Sequence, residues 1–302
     1  MFSEFPSRRD TFRLATRAVA AGSIGGSLVQ SAMASTLPVG AKLAALEKRA
    51  GGRLGICAID TQFGGVIGHR MDERFAMCST FKLSLAAAML ERADKGKIPL
   101  DTPVTYTKAD IVPNSPVTTE NLSRGSMTVR ELAEATQKTS DNTAANLLLK
   151  LIGGPEGLTR FYRSQGDNIT RLDRFEPAMN EFKAGDQRDT TSPYAYATLV
   201  EKLLTGPVLS PASRALLIQW MIDTKTGLKR IRAGVPEGWR VGDKTGTGLP
   251  GKYNDVAICW PPRKPPLIIA VYYHSASESL DIRDEDQKVI ADATRLVVEW
   301  VS

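Results

Sequence analysis

The segments of this chain that predict β-strands lie near its two ends, whereas the middle predicts helices. Apolar runs typical of strands occupy residues 53–60, 66–70, 254–260 and 266–274. From about 79 to 228 the chain is expected to be helical throughout, because its apolar residues recur at helical spacing. Since short isolated strands are not stable, the two ends must meet in one sheet. The sequence therefore predicts a sheet assembled from both chain ends, with a helical lobe inserted between them.

The first 34 residues differ from the rest of the chain. Arginines precede and enter a weakly apolar run rich in Gly and Ala, which ends in the small-x-small pattern Ala32-Met33-Ala34. This arrangement predicts an export signal over 1–34, cleaved after Ala34. The adjacent Arg8 and Arg9 resemble a twin-arginine signal, and the general secretory route is the alternative. We expect the mature protein to be periplasmic or secreted.

The chain is therefore expected to have three parts. Residues 1–34 form the export signal, residues 35–70 and 230–302 form an α/β lobe, and residues 71–229 form a helical lobe. A cleft between two lobes is a common place for a ligand site, so we expect the functional residues to meet there.

Composition argues against several classes of protein. The formal net charge is +6, but Lys and Arg are scattered among acidic residues, so no nucleic-acid surface is predicted. After the signal, no apolar run approaches the length of a membrane span, and no stable membrane association is expected. The chain has only two histidines, His69 and His274, and its three cysteines form no CxxC pair, so we predict neither a metal site nor another cofactor. Nothing in the sequence demands more than a monomer.

Ser79 and Lys82 stand at the head of a segment that predicts an amphipathic helix. Its apolar face consists of Leu83, Ala86, Ala87 and Leu90. Free N–H groups at a helix entrance favour negative charge developing on the Ser79 oxygen. Lys82 lies one turn further along on the same side, so its amine can reach the hydroxyl. Serine is also a common N-cap and lysine a common helix residue, so the pair needs support from elsewhere in the chain.

Ser140-Asp141-Asn142 lies between two predicted helices of the middle region. Asp141 or Asn142 can cap the second of these helices, which is the structural interpretation. In the functional interpretation, Ser140 relays a proton and the amide of Asn142 donates to a substrate carbonyl.

Lys-Thr-Gly occurs twice, and its context differs between the copies. Residues 225–227 follow an apolar helix, so Gly227 is interpreted as a helix stop with no further role. Residues 244–246 precede the strand at 254–260 and belong to an extended segment, whose backbone can pair with a bound ligand. There Lys244 would hold a carboxylate by charge, and the hydroxyls of Thr245 and Thr247 would add donors.

Glu176 lies in an irregular stretch from about 170 to 190, and loops this long are usually functional. Pro177 follows it, a context that permits a cis peptide bond and a rigid turn. A solvated surface carboxylate is the alternative interpretation. Asn180 favours function, because its spacing from Glu176 suits the two side chains to hold one water between them.

The order and intervals of Ser-x-x-Lys, Ser-Asp-Asn, Glu-Pro-x-x-Asn and Lys-Thr-Gly resemble those of class A serine β-lactamases, over essentially the whole mature chain. The resemblance implies an α/β fold of the α+β type that is β-lactamase/transpeptidase-like. In that fold an antiparallel sheet built from both chain ends is flanked by helices, with an inserted all-helical lobe. The implied activity is hydrolysis of β-lactam antibiotics, which confers resistance to them. A D,D-peptidase (a penicillin-binding protein) and a covalent β-lactam sensor domain are the alternatives.

The resemblance also assigns roles to individual residues. Ser79 would attack the ring, with Lys82 or Glu176 as the base, and Ser140 would protonate the leaving nitrogen. Glu176, together with Asn180, would activate the water that hydrolyses the acyl-enzyme. The backbone N–H groups of Ser79 and Thr247 would form the oxyanion hole. The implied substrate-binding residues are Asn142, Asn180, Lys244, Thr245, Gly246, Thr247 and Arg230.

Four further features follow from the same resemblance. Arg174 and Asp189 match a pair that closes the neck of the loop around Glu176. Tyr253 stands where some members have the arginine that supports the substrate carboxylate, so that role falls to Arg230. Asn114 stands where relatives usually have an aromatic residue. Cys78 is similar to a cysteine of carbapenem-hydrolysing members, but its partner position holds Gly248, so no disulfide is expected.

Overall fold

Five antiparallel strands form the main sheet. The computed structural model describes residues 38–183 and 185–300, so the predicted export signal lies outside the described residues. The first two strands come from the beginning of the described chain and the other three from its end, which confirms a sheet built from both ends. The strands are β1 Arg53–Asp60, β2 Val66–His69, β7 Arg240–Gly248, β8 Lys252–Trp260 and β9 Leu267–His274. They lie in the order β2-β1-β9-β8-β7 across the sheet.

Helices cover both faces of this sheet. Helix α1, Val39–Ala50, and the last helix, Asp284–Val298, pack on one face, where they bury Leu54 and Ile56 of β1. Cys57, which follows Ile56 and points to the opposite face, contributes to the core formed with the helices of the middle region. Because both faces are covered, the central strands read as continuous apolar runs rather than as alternating ones. Trp300 lies beyond the end of the last helix and is 38% exposed.

The middle of the chain is mainly helical. Its helices are α2 Phe81–Asp94, α3 Pro116–Glu120, α4 Val129–Lys138, α5 Asn142–Leu151, α6 Gly154–Ser164, α7 Pro193–Thr205 and α8 Pro211–Ile222. The short helix α9, Ile231–Gly234, follows, and the last helix is α10. The expectation of helix throughout 79–228 needs correction, because one short strand pair and one strand of a second pair lie within the region. The pairs are β4 Pro103–Thr105 with β5 Ser126–Thr128, and β3 Phe75–Ala76 with β6 Thr190–Thr191. The boundary between the two lobes stays a prediction.

Helix α2 lies at the centre of the larger core. The prediction of a single apolar face is wrong here, because every side chain from Phe81 to Glu91 is buried. Helices that pack on all sides do not need an amphipathic pattern. As a consequence, Lys82 on this helix is fully buried and must find its partners inside the protein.

Local sequence signals set several helix ends. The Thr128 hydroxyl accepts from the N–H of Glu131, whose carboxylate accepts from the N–H of Thr128, and together they form the capping box of α4. Ser192 caps α7 and Ser210 caps α8, each with proline at the first helical position. Within residues 38–183 and 185–300, no helix is long and apolar enough to span a membrane.

Candidate active site

Ser79 lies in a 3-10 turn, Cys78–Thr80, that leads into α2. Strand β7, an edge strand of the main sheet, passes close beside this turn. A Cβ added at Gly246 would lie 2.7 Å from the carbonyl oxygen of Met77 and 3.2 Å from the backbone nitrogen of Ser79. Glycine at this position therefore lets the strand approach the serine.

Lys82 connects the polar side chains around Ser79. Its Nζ lies 2.9 Å from Ser79 Oγ, 2.9 Å from the carbonyl oxygen of Ser140 and 3.1 Å from Glu176 Oε1. It also donates to Asn142 Oδ1. Burial lowers the pKa of Lys82, and the adjacent carboxylate of Glu176 opposes that shift. One fully buried amine thus touches the serine, the Ser-Asp-Asn segment and the glutamate.

Ser140 sits between two lysines. Its Oγ accepts from Lys82 Nζ at 3.3 Å and from Lys244 Nζ at 3.1 Å. Burial, together with the nearby charge of Lys82, lowers the pKa of Lys244 to about 7. Since both amines donate to the same oxygen, the hydrogen of Ser140 is free to point into the site.

Buried Asp141 anchors the Ser-Asp-Asn segment. Its carboxylate accepts from the backbone N–H groups of Val117 and Thr118, at 3.0 and 2.9 Å. It also accepts from the N–H of Ala144 at 2.8 Å, so Asp141 rather than Asn142 caps α5. Asn142, which follows, donates its side-chain amide to the carbonyl of Pro113 at 2.9 Å and turns its oxygen to Lys82.

Glu176 faces inward, and its side chain is fully buried. It is therefore not the exposed surface carboxylate of the alternative interpretation. Asn180 Nδ2 donates to Glu176 Oε2 at 2.6 Å, and the Glu176–Pro177 peptide is cis. Asn146 holds the backbone of Glu176, because its side chain accepts from the Glu176 N–H at 3.0 Å and donates to the Glu176 carbonyl at 2.9 Å. Sequence reasoning missed Asn146, which lies on α5 without a motif of its own.

The neck of the loop is closed by Arg174 and Asp189. Arg174 Nε lies 2.6 Å from Asp189 Oδ2, while Asp189 Oδ1 accepts from the backbone N–H groups of Asp173 and Arg174. Asp189 is buried and has a positive φ of 55°. This carboxylate ties both ends of the loop together, as the resemblance implied.

Arg230 lies behind β7 and is buried. Its guanidinium donates to the carbonyl oxygens of Gly246 and Asn254, at 2.9 and 2.7 Å, and to Thr247 Oγ1 at 2.7 Å. Burial lowers the pKa of Arg230. Arg230 does not line the cavity in front of the strand, whereas Thr247 does. Arg230 can therefore act on a ligand in the cavity through its hydrogen bond to the Thr247 hydroxyl.

A cavity of about 620 Å³ opens in front of these groups. Ser79, Ser140 and Asn180 line it, whereas Lys82, Glu176 and Lys244 lie behind its surface. The full lining consists of Ser79, Asn114, Ser115, Pro116, Thr119, Thr139, Ser140, Asn142, Asn180, Thr226, Thr245 and Thr247. The wall is rich in hydroxyl groups, and the titratable groups stand one layer behind it.

The comparison with known proteins agrees with this geometry. Residues 38–301 match the beta-lactamase enzyme family. The chain is 46% identical to beta-lactamase FAR-1 of Nocardia farcinica over 258 residues, which cover 85% of this chain and 81% of that protein. It is 45% identical to the carbapenem-hydrolyzing beta-lactamase KPC of Klebsiella oxytoca over 270 residues, which cover 89% and 91%. The solved structure of an ancestral class A beta-lactamase, GNCA, superposes with a TM-score of 0.83 at 54% identity, over 87% of this chain and 99% of that one. The chain belongs to the class A β-lactamases.

This β-lactamase differs from the sequence-based expectation at the first Lys-Thr-Gly, residues 225–227. Helix α8 ends at Ile222, so Gly227 is not its stop. Thr226 instead lines the cavity, with its hydroxyl 2.7 Å from the hydroxyl of Thr245. The spacing from the helix gave no sign of this contact, because it depends on how the loop packs against β7.

The cysteines of this β-lactamase are all free and buried. Cys57 and Cys259 lie in the central strands, as their apolar surroundings predict. Cys78 has a positive φ of 45° and precedes Ser79 directly. A Cβ added at Gly248 would lie 2.8 Å from Cys78 Sγ, so the two positions face each other without a disulfide.

Asn114 of this β-lactamase lines the cavity at the position where an aromatic residue was expected by resemblance. Its φ is 60°, in the left-handed region that asparagine tolerates better than most residues. Its carbonyl accepts from the N–H of Asn142 at 3.0 Å. Within residues 38–183 and 185–300, no group of acidic, Cys or His side chains is arranged to hold a metal ion.

Proposed function

We propose that Ser79 attacks the β-lactam carbonyl and that Lys82 accepts its proton. This assignment is supported by the position of Lys82 Nζ, 2.9 Å from Ser79 Oγ and 3.1 Å from Glu176 Oε1. Lys82 first passes a proton to Glu176, which leaves a neutral amine that can act as the base. Burial lowers the pKa of Lys82, so the neutral amine is accessible. The single observation that carries the proposal is this chain of contacts from the cavity-lining serine to a fully buried amine and a fully buried carboxylate.

The oxyanion formed by the attack is held by backbone N–H groups of Ser79 and Thr247. This is supported by the close approach of β7 to the Ser79 turn, which Gly246 permits. Each such donor contributes about 3 to 4 kcal/mol to transition-state stabilisation in other serine hydrolases. Because the donors belong to a buried strand and a helix entrance, they need no rearrangement during the reaction.

Ser140 then protonates the nitrogen that leaves the carbonyl carbon. Two amines donate to Ser140 Oγ, so its own hydrogen is available for the leaving nitrogen. Lys82, which took the proton of Ser79, can return one to Ser140 over 3.3 Å. Ring opening is thereby completed, and the acyl group stays on Ser79.

Glu176 and Asn180 activate the water that releases the acyl group. Asn180 Oδ1 is buried and accepts no hydrogen bond among the described residues, and the buried Glu176 Oε1 has the ion-pair contact with Lys82 Nζ at 3.1 Å. Both oxygens can therefore accept from a water, while the 2.6 Å bond between the two side chains fixes their relative position. Glu176 first returns its proton over 3.1 Å to Lys82, which the previous step left neutral. The carboxylate then takes a proton from that water as the water attacks the ester carbonyl.

Lys244 and the hydroxyls of Thr245 and Thr247 bind the carboxylate of the β-lactam, with Arg230 supporting Thr247. The hydroxyl-rich cavity wall with buried cations behind it supports this role. Asn142 presents its amide to the side chain of the substrate. No cofactor is required for any of these steps.

Turnover of a chromogenic cephalosporin at substoichiometric enzyme tests the proposal. Many ring openings per enzyme molecule are expected. A single burst equal to the enzyme present would contradict hydrolysis and indicate a D,D-peptidase or a covalent sensor. Sequencing of the secreted protein tests the proposed signal: the mature, monomeric enzyme should begin at Ser35 in the periplasm or medium, with no membrane-bound fraction.

A further inference from the structure

The loop that carries the first Lys-Thr-Gly copy is attached firmly to the site. The N–H of Lys225 donates to the carbonyl of Lys138 at 2.9 Å, and the hydroxyl of Thr224 donates to the carbonyl of Asp243 at 2.9 Å. Gly227 has a φ of 88°, and a Cβ there would lie 2.3 Å from Asp243 Oδ2. These contacts hold Thr226 against β7.

Two hydroxyls that line the cavity, those of Ser140 and Thr247, share one arrangement. Ser140 Oγ accepts from two lysines, and Thr247 Oγ1 accepts from Arg230 at 2.7 Å. In both cases a donor behind the hydroxyl occupies its oxygen, so its hydrogen can point toward a ligand. Thr245 lies two residues before Thr247 on β7, hence on the same face, and its only hydroxyl partner among the described residues is Thr226.

We propose that Thr226 is a positioning residue that donates to Thr245 Oγ1, so that the Thr245 hydrogen points at the carboxylate of the substrate. The reverse direction, with Thr245 as donor, would turn a lone pair toward an anion and repel it. A bound carboxylate therefore selects the chain from Thr226 to Thr245 to the carboxylate, in which each hydrogen bond polarises the next. This inference rests on the proposed carboxylate role of Lys244 and Thr245.

The variant Thr226→Val removes the hydroxyl and keeps the shape of the side chain. We expect the KM for a carboxylate-bearing cephalosporin to rise about three- to tenfold, the cost of one net hydrogen bond. The kcat should stay within about twofold, because the carboxylate itself takes part in none of the bonds that form or break. Thr226→Ser, which keeps the hydroxyl, should restore the KM. Thr205→Val, on the exposed end of α7, is the control for the substitution itself.

Two further measurements separate positioning from direct contact. With the methyl ester of the same cephalosporin, Thr226→Val should leave the KM unchanged. In a Thr245→Val background, Thr226→Val should have no added effect, since its partner is gone. An equal rise in KM for the methyl ester would overturn the inference. Additive effects of the two substitutions on KM in the double variant would also overturn it. If the unmodified enzyme itself fails to turn over, the proposed function fails; if it turns over and Thr226→Val keeps its KM, only this inference fails.

Discussion

Replacing Glu176 by alanine separates the two halves of the reaction. The substitution removes the oxygen 3.1 Å from Lys82 Nζ and the oxygen that binds Asn180 at 2.6 Å. It leaves Lys82 at 2.9 Å from Ser79. Because Glu176 raises the pKa of Lys82, its loss lowers that pKa further, and the neutral amine becomes more abundant. Acylation should therefore continue, whereas water activation is lost.

The expected magnitude follows from the loss of one general base. Such a base contributes about 10² to 10⁴ in rate, so steady-state kcat should fall by that factor. This loss corresponds to about 2.7 to 5.4 kcal/mol of barrier height. The burst should keep an amplitude of one ring opened per active site. The acyl-enzyme on Ser79 should then accumulate.

Stopped-flow absorbance with excess chromogenic cephalosporin measures both phases, and intact-protein mass spectrometry detects the acyl adduct. Glu181→Ala is the matched control, because Glu181 lies in the same loop and is exposed. The control should keep the parental kcat. Unchanged turnover in Glu176→Ala would remove Glu176 from deacylation. Loss of the burst would instead show that Lys82 cannot act as the acylation base without the carboxylate.

Three other predictions follow from the same geometry. With Lys244 at a pKa of about 7, the charged form that binds a carboxylate is lost as pH rises, so kcat/KM should fall about tenfold per unit above that pH. Lys244→Arg should move this fall in kcat/KM to higher pH. With the methyl ester of the substrate, kcat/KM should not show the fall. Gly248→Cys places a Cβ 2.8 Å from Cys78 Sγ, close to the roughly 3 Å of a disulfide, so oxidation should raise the free energy of unfolding by about 2 to 4 kcal/mol relative to the reduced form. An absence of crosslink under oxidising conditions would count against the described approach of β7. Asn146→Ala removes both side-chain hydrogen bonds to the Glu176 backbone. The free energy of unfolding in urea should fall by about 1 to 3 kcal/mol, and deacylation should be slower. If both values stayed at those of the parent enzyme, the loop would hold Glu176 without Asn146.

Local signals in the sequence determined most element boundaries and the identity of the central residues. The capping box at Thr128, the Ser-Pro starts at Ser192 and Ser210, and the strand at 53–60 all depend on neighbours within a few residues. These interactions depend only on residues close together in the sequence, so they can be predicted without knowledge of the fold. The Ser-x-x-Lys, Ser-Asp-Asn and Lys-Thr-Gly motifs could be recognised for the same reason, because each consists of residues close together in the sequence.

Tertiary structure alone decided how distant segments meet. Thr226 reaches Thr245 across 19 residues only because a loop packs against an edge strand, and Asn146 reaches the Glu176 backbone across 30 residues. Burial of α2 on every side, which makes Lys82 a buried amine with a lowered pKa, likewise depends on what surrounds the helix. Shifts in pKa follow from solvent exclusion and nearby charges. Both are properties of the packed molecule rather than of the order of residues.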